Sequence, residues 1–115
     1  MEPRYYPVAL VDRYTGTSTT YQKVVEWKVG SEWGGPKRGK LLEISMITSD
    51  YDKTKWRVRV GHKILFEDKQ IPSAKTFPYY NTPAELDYDT RVTIEAKSTD
   101  GTGITADGEI TAVEF

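Results

Sequence analysis

His62 is the single imidazole of the chain, and there is no cysteine, so the side chains that most often perform proton transfer or nucleophilic attack are nearly absent. A general base needs an orienting partner and a pocket. His62 stands instead in Val60-Gly61-His62-Lys63, between two alternating runs, where a polar, exposed turn residue is expected. No Ser or Thr sits in a nucleophile elbow, and nothing matches a Walker loop. The segment Gly34-Gly35-Pro36-Lys37-Arg38-Gly39-Lys40 has backbone amides and cations that suit an anion, yet no helix pattern follows to aim them. Carboxylates occur as Asp50/Asp52, Asp87/Asp89 and Asp100/Asp107. Calcium wants about six to eight oxygens, none of these spacings is that of an EF-hand, and aspartate beside Gly, Thr or Tyr is ordinary turn chemistry. The expectation is therefore a protein that is not an enzyme, with no catalytic, cofactor-binding or metal-binding residue and no cofactor.

Aromatic residues offer a binding alternative. Trp33 in the Gly-rich segment and Tyr79-Tyr80 between prolines present apolar rings with polar tips, a platform on which a sugar ring or a partner side chain can stack. The competing expectation is that these rings plug the ends of the fold.

The elements that must position such residues are strands. In Lys55 to Glu67, KWRVRVGHKILFE, Trp56, Val58 and Val60 alternate with Lys55, Arg57 and Arg59, and Ile64 and Phe66 resume the alternation after Gly61-His62. A period of two puts the apolar set on one face, and a Gly-first two-residue loop suits a type II′ turn. The same pattern predicts strands at Tyr21–Val29, Leu41–Thr48, Lys75–Tyr79 and Arg91–Lys97, a short one at Ile104, and a last one over 109–115. Trp27 and Trp56 read as core. Asp100-Gly101 and Asp107-Gly108 are the strongest turn dipeptides. No helix is expected. Seven or eight short strands with frequent turns predict an all-β, antiparallel two-sheet sandwich. A jelly roll is favoured over an immunoglobulin-like fold, because the Cys, Trp, Cys framework is missing.

Residues 1–20 carry Pro3 and Pro7 and show no sustained period. They read as an extended N-terminal arm preceding a β-sandwich domain over 21–115. Tyr5, Tyr6, Val8 and Leu10 are too apolar for a tail kept in water, so the arm is expected to dock on its own sandwich or on a neighbouring subunit.

Composition narrows the partners. At 115 residues and net charge −1 the chain fits one domain and lacks the basic surplus that duplex binding requires. Neither a membrane span nor a secretory leader is expected. The halves differ: residues 1–63 hold 12 Lys/Arg against 7 Asp/Glu, and residues 64–115 hold 4 against 10. Either the charges mix on one surface, or they match neighbouring subunits and set their orientation.

Gly-x-Leu-Leu-Glu-Ile (39–44), Lys-Thr-x-Trp-x-Val-x-Val-Gly-x-x-Ile-Leu-Phe (53–66), Val-x-Ile-x-Ala-Lys-Ser-x-Asp-Gly-Thr (92–102) and Asp-Gly-x-Ile (107–110) together resemble small β-sandwich accessory proteins of tailed-phage virions. The resemblance spans about residues 39–115. It implies a non-enzymatic virion structural protein: a capsid decoration, head-fibre or attachment component, assembled in the host cytoplasm. Such a protein is expected to self-associate as a homo-oligomer and to dock onto other virion proteins, capsid or fibre. It implies no catalytic residue, no nucleic acid and no membrane. The alternative is a carbohydrate-binding module using Trp33, Tyr79 and Tyr80 on a glycan.

Overall fold

The computed structural model describes residues 5–32, 37–79 and 85–115. Among these, nine strands form two antiparallel sheets. They are β1 (Tyr6–Gly16), β2 (Gln22–Lys28), β3 (Arg38–Thr48), β4 (Thr54–Val60), β5 (Lys63–Lys69), β6 (Lys75–Pro78), β7 (Leu86–Asp87), β8 (Arg91–Ser98) and β9 (Ile104–Glu114). The first sheet runs β1-β9-β3-β6, with the two-residue β7 also on β3; the second runs β2-β8-β4-β5. Apart from β4–β5 and β6–β7, successive strands cross between layers, and every pairing is antiparallel, which is the strand order of a jelly roll. One 3-10 turn, Tyr51–Lys53, is capped by the Asp50 side chain accepting from the Asp52 amide.

The alternating apolar residues meet between the layers. Trp27, Val29, Ile44, Met46, Trp56, Val58, Val92, Ile94, Ala96 and Ile110 are fully buried, and at about 25 cal/mol per Å2 of apolar surface this interior is the main stabilising term. Val60 pairs with Lys63 across Gly61-His62, and Gly61 has φ of +61° while His62 does not share a positive φ, as a type II′ turn requires.

Three expectations are corrected. Residues 6–16 are not an arm: β1 pairs with β9 in unbroken register from Tyr6↔Glu114 to Gly16↔Ile104. Tyr6, Val8, Leu10 and Tyr14 do share one side, but Pro7 and Asp12-Arg13 mask that period in the sequence. Asp107-Gly108 is not a turn. β9 runs straight through it, because a Cβ on Gly108 would stand 2.9 Å from Val25 Cγ1, so this glycine serves close approach of the sheets rather than a reversal. The faces also shift at bulges. Irregularities at Lys23/Val25 and Leu41/Glu43 turn both Val24 and Val25, and both Leu41 and Ile44, inward. Two irregularities between β4 and β5 leave Ile64, expected in the core, 45% exposed opposite Arg59.

Candidate interaction surface

The second sheet's outer face is a lattice of opposite charges. Arg57 donates to both carboxylate oxygens of Glu95, at 3.1 and 2.9 Å, and to Glu67 at 3.1 Å. Arg59 also reaches Glu95 at 3.0 Å. Arg91 and Thr93 donate to Glu26 at 3.1 and 3.0 Å. Tyr21 lies beneath two cations, Arg57 at 4.2 Å and Lys97 at 4.4 Å from its ring centre, and its hydroxyl donates to Asp68 at 2.6 Å. Burial and then the Asp68 bond push the Tyr21 pKa well up. The same hydroxyl, followed by Lys97, holds Asp68 below the ordinary carboxylate range. Strand alternation places these residues: with Trp56, Val58, Ile94 and Ala96 facing in, Arg57, Arg59, Thr93 and Glu95 must face out.

The charge imbalance between the chain halves is thus met within the molecule. Of nine ion pairs among the described residues, seven join a cation from residues 1–63 to an acid from residues 64–115. Mixing on one surface accounts for the pattern, and such pairs fix cross-strand register.

The first sheet's outer face is different. Its rows run Ala9, Thr111, Glu43; then Val11, Glu109, Ser45, Thr76; then Arg13, Asp107, Ile47. Val11 is 71% and Ile47 51% exposed. Arg13 and Asp107 form one ion pair at 2.6 Å, and that bond holds Asp107 low against the opposing effect of its partial burial. The face otherwise mixes aliphatic and hydroxyl side chains with two acids, Glu43 and Glu109.

The proposed anchor residues divide across β1. Val8 is 3% exposed and sits in the core, Leu10 packs against that core, and Tyr6 is half-buried. Tyr5 is exposed, its ring 5.6 Å from Phe115. Removing residues 1–20 would therefore remove a strand and a core side chain. Of the stacking platform, Trp33 and Tyr80 lie outside the described residues. Tyr79 packs half-buried against the core margin, its amide donating to Leu42 O at 2.6 Å, and burial raises its hydroxyl pKa. Of the glycine-rich segment, residues 34–36 also lie outside the described residues, while Arg38, Gly39 and Lys40 open β3.

His62 is exposed at its hairpin tip. The aspartate pairs have separate tasks. Asp50 caps the 3-10 turn, Asp89 meets Lys28 at 3.2 Å, and Asp100 accepts from Lys53 at 2.7 Å and from the Thr102 hydroxyl at 2.6 Å. Lys53 and then Thr102 hold Asp100 far below the ordinary carboxylate range. Among the described residues, no three His, Asp or Glu side chains gather as a metal would need.

Sequence reasoning missed Glu114. It is fully buried, and its Oε2 accepts from Trp27 Nε1–H and the Gly30 amide, both at 2.8 Å. Since Glu114 belongs to the first sheet and Trp27 to the second, this carboxyl ties the layers together. Alternation with Ala112 and Ile110 was the available signal.

No family model matches the chain, and no curated protein does. Among solved structures, a chain from the acidic stable capsid structure of Helicobacter pylori bacteriophage KHP30 is similar with a TM-score of 0.38 and 9% identity, over 97% of this chain and 94% of that one.

Proposed function

We propose that this chain is a non-enzymatic structural component of a phage-type virion, a capsid decoration, head-fibre or attachment protein, which works by self-association and by docking onto other particle proteins. The observation that carries the reading is the contrast between the two outer faces. One carries a dense lattice of its own ion pairs, while the other presents Val11 and Ile47 among small and hydroxyl residues and the acids Glu43 and Glu109, beside the long edge strand β1. Tyr21 with Asp68, Lys53 with Asp100 and Arg57 with Glu95 are engaged in holding strands and turns together. The virion setting rests on the sequence motifs of residues 39–110, since a jelly roll serves capsid and lectin domains alike and fold does not dictate function.

Size-exclusion chromatography with light scattering over a range of concentrations tests the self-association. A mass above that of one chain, rising with concentration, is expected. A single-chain mass throughout would refute this part of the reading, and glycan binding abolished by Trp33→Ala would replace it with the carbohydrate-binding one.

A further inference from the structure

We propose that two copies of this chain join through β1, antiparallel about a two-fold axis at Leu10, so that Ala9 and Val11 of each exchange backbone hydrogen bonds with Val11 and Ala9 of the other. This rests on the self-association proposed above and names its surface.

The backbone directions can be read from the far end of the sheet. Phe115 and Arg38 exchange both hydrogen bonds, at 3.0 and 3.1 Å, so odd-numbered residues of β9 address β3 and even-numbered ones address β1. Because β1 pairs even with even, as in Tyr6↔Glu114 and Leu10↔Ile110, the amides and carbonyls of Pro7, Ala9, Val11, Arg13 and Thr15 point to the open side. Pro7 has no N–H to offer. The Arg13 amide is taken by the Asp12 carboxylate at 2.8 Å. Between these two stops, Ala9 and Val11 keep donor and acceptor with no partner among the described residues.

A two-residue opening of this kind is complementary to itself. With Leu10 on the axis, Ala9 faces the second copy's Val11, four hydrogen bonds form, and Pro7 falls opposite Arg13, so the residue lacking an amide proton meets the one whose proton is already taken. Charge selects the same register. Centring the pair on Asp12 or on Arg13 would set like charges face to face, which is unfavourable across strands. Centring it on Val11 would set Ala9 against the occupied Arg13 amide. At Leu10 no like charges are opposed, and Val11, 71% exposed, gains cover from the second copy's Ala9 and Val11. A groove lined by Pro7, Val8, Ala9, Leu10 and Glu32 runs along this part of the edge.

The other edges are blunted in the ways natural sheets use. β2 and β5 are interrupted by bulges, β5 carries Lys63 and Lys69, and β6 has four residues ending in Pro78. β1 pairs over 11 residues without a bulge.

Two substitutions test the pairing in the full-length chain, each with its fold checked by circular dichroism. Val11→Pro removes an N–H that no internal bond uses, and Val11→Lys puts a charge on an exposed edge position. Both are expected to keep the far-ultraviolet spectrum and to lower the light-scattering mass from two chains to one. If Val11→Pro fails to fold, Val11→Lys decides. A folded variant that keeps the associated mass overturns the β1 pairing and leaves self-association through another surface standing. A wild-type chain of single mass at every concentration overturns both.

Discussion

Replacing Glu114 by alanine should be among the most damaging single changes available, and its size follows from what the carboxyl holds. Oε2 accepts two hydrogen bonds at 2.8 Å inside the interior, from the Trp27 indole of one layer and the Gly30 amide of the turn that follows it. Glu114→Ala strands both donors where water does not reach. A buried group left without its partner costs about 1–3 kcal/mol, so two such losses give about 2–6 kcal/mol, a large share of the about 5–15 kcal/mol that a domain has in total. Glu114→Gln keeps an oxygen at the accepting position with nearly the same shape, and should cost clearly less than the alanine variant. Urea denaturation followed by tryptophan fluorescence measures both. A Glu114→Ala variant that loses under about 1 kcal/mol would show that Trp27 and Gly30 find other acceptors, and would refute the role of this carboxyl as a tie between the sheets.

Further outcomes are expected. Gly39→Ala would place a Cβ 2.6 Å from Cη2 of Trp27, a buried ring that cannot swing aside, and should cost about 1–3 kcal/mol by overpacking in the same denaturation assay. A double-mutant cycle of Arg57→Ala and Glu95→Ala should give a coupling of about 1–2 kcal/mol, above the range of exposed pairs, because their side chains are only 16% and 13% exposed; a coupling near zero would show the lattice to be ornamental. Asp68, Asp100 and Asp107 have folded pKa values depressed by Tyr21, Lys53 and Arg13 respectively. Their contribution is therefore present above the unfolded carboxylate pKa of about 4 and is lost as pH falls through the lower folded values. The thermal midpoint should drop below about pH 4, less steeply in Asp100→Asn. Tyr21 and Tyr79 are shifted upward from 10.0, chiefly by burial, so the stability they contribute is full below that value and declines as pH rises past it, when unfolded tyrosines ionise first. Absorbance titration at alkaline pH should show Tyr21 ionising late, and Tyr21→Phe should remove that step.

The core strands were legible because their apolar residues alternate with charges. Trp56, Val58 and Val60 against Lys55, Arg57 and Arg59 marked both faces of β4, and Gly61-His62 marked the turn. What escaped the sequence has three physical causes. A bulge adds a residue without any signature in composition, so strict alternation puts Ile64 on the buried face and Leu41 on the face opposite Ile44, neither of which holds. Asp-Gly is equally at home in a turn and where two sheets press together, and only the neighbours Val24 and Val25 distinguish these for Gly108. An edge strand is covered on fewer sides than a central one, so Pro7, Ala9, Asp12 and Arg13 diluted the apolar period of β1 until it read as an arm. The association surface stayed hidden for a related reason. Val11 was visible as one apolar residue among several, but its place between Pro7 and the Asp12-occupied Arg13 amide emerges only once β1 is paired with β9.

Hydrogen exchange at single amides, compared between dilute and concentrated protein, tests the β1 account most directly. The Leu10 amide, engaged with β9 inside each molecule, should be protected at both concentrations. The Ala9 and Val11 amides should exchange freely when dilute and become protected together as the protein is concentrated. Fast exchange of both at a concentration where the protein is associated would contradict the account.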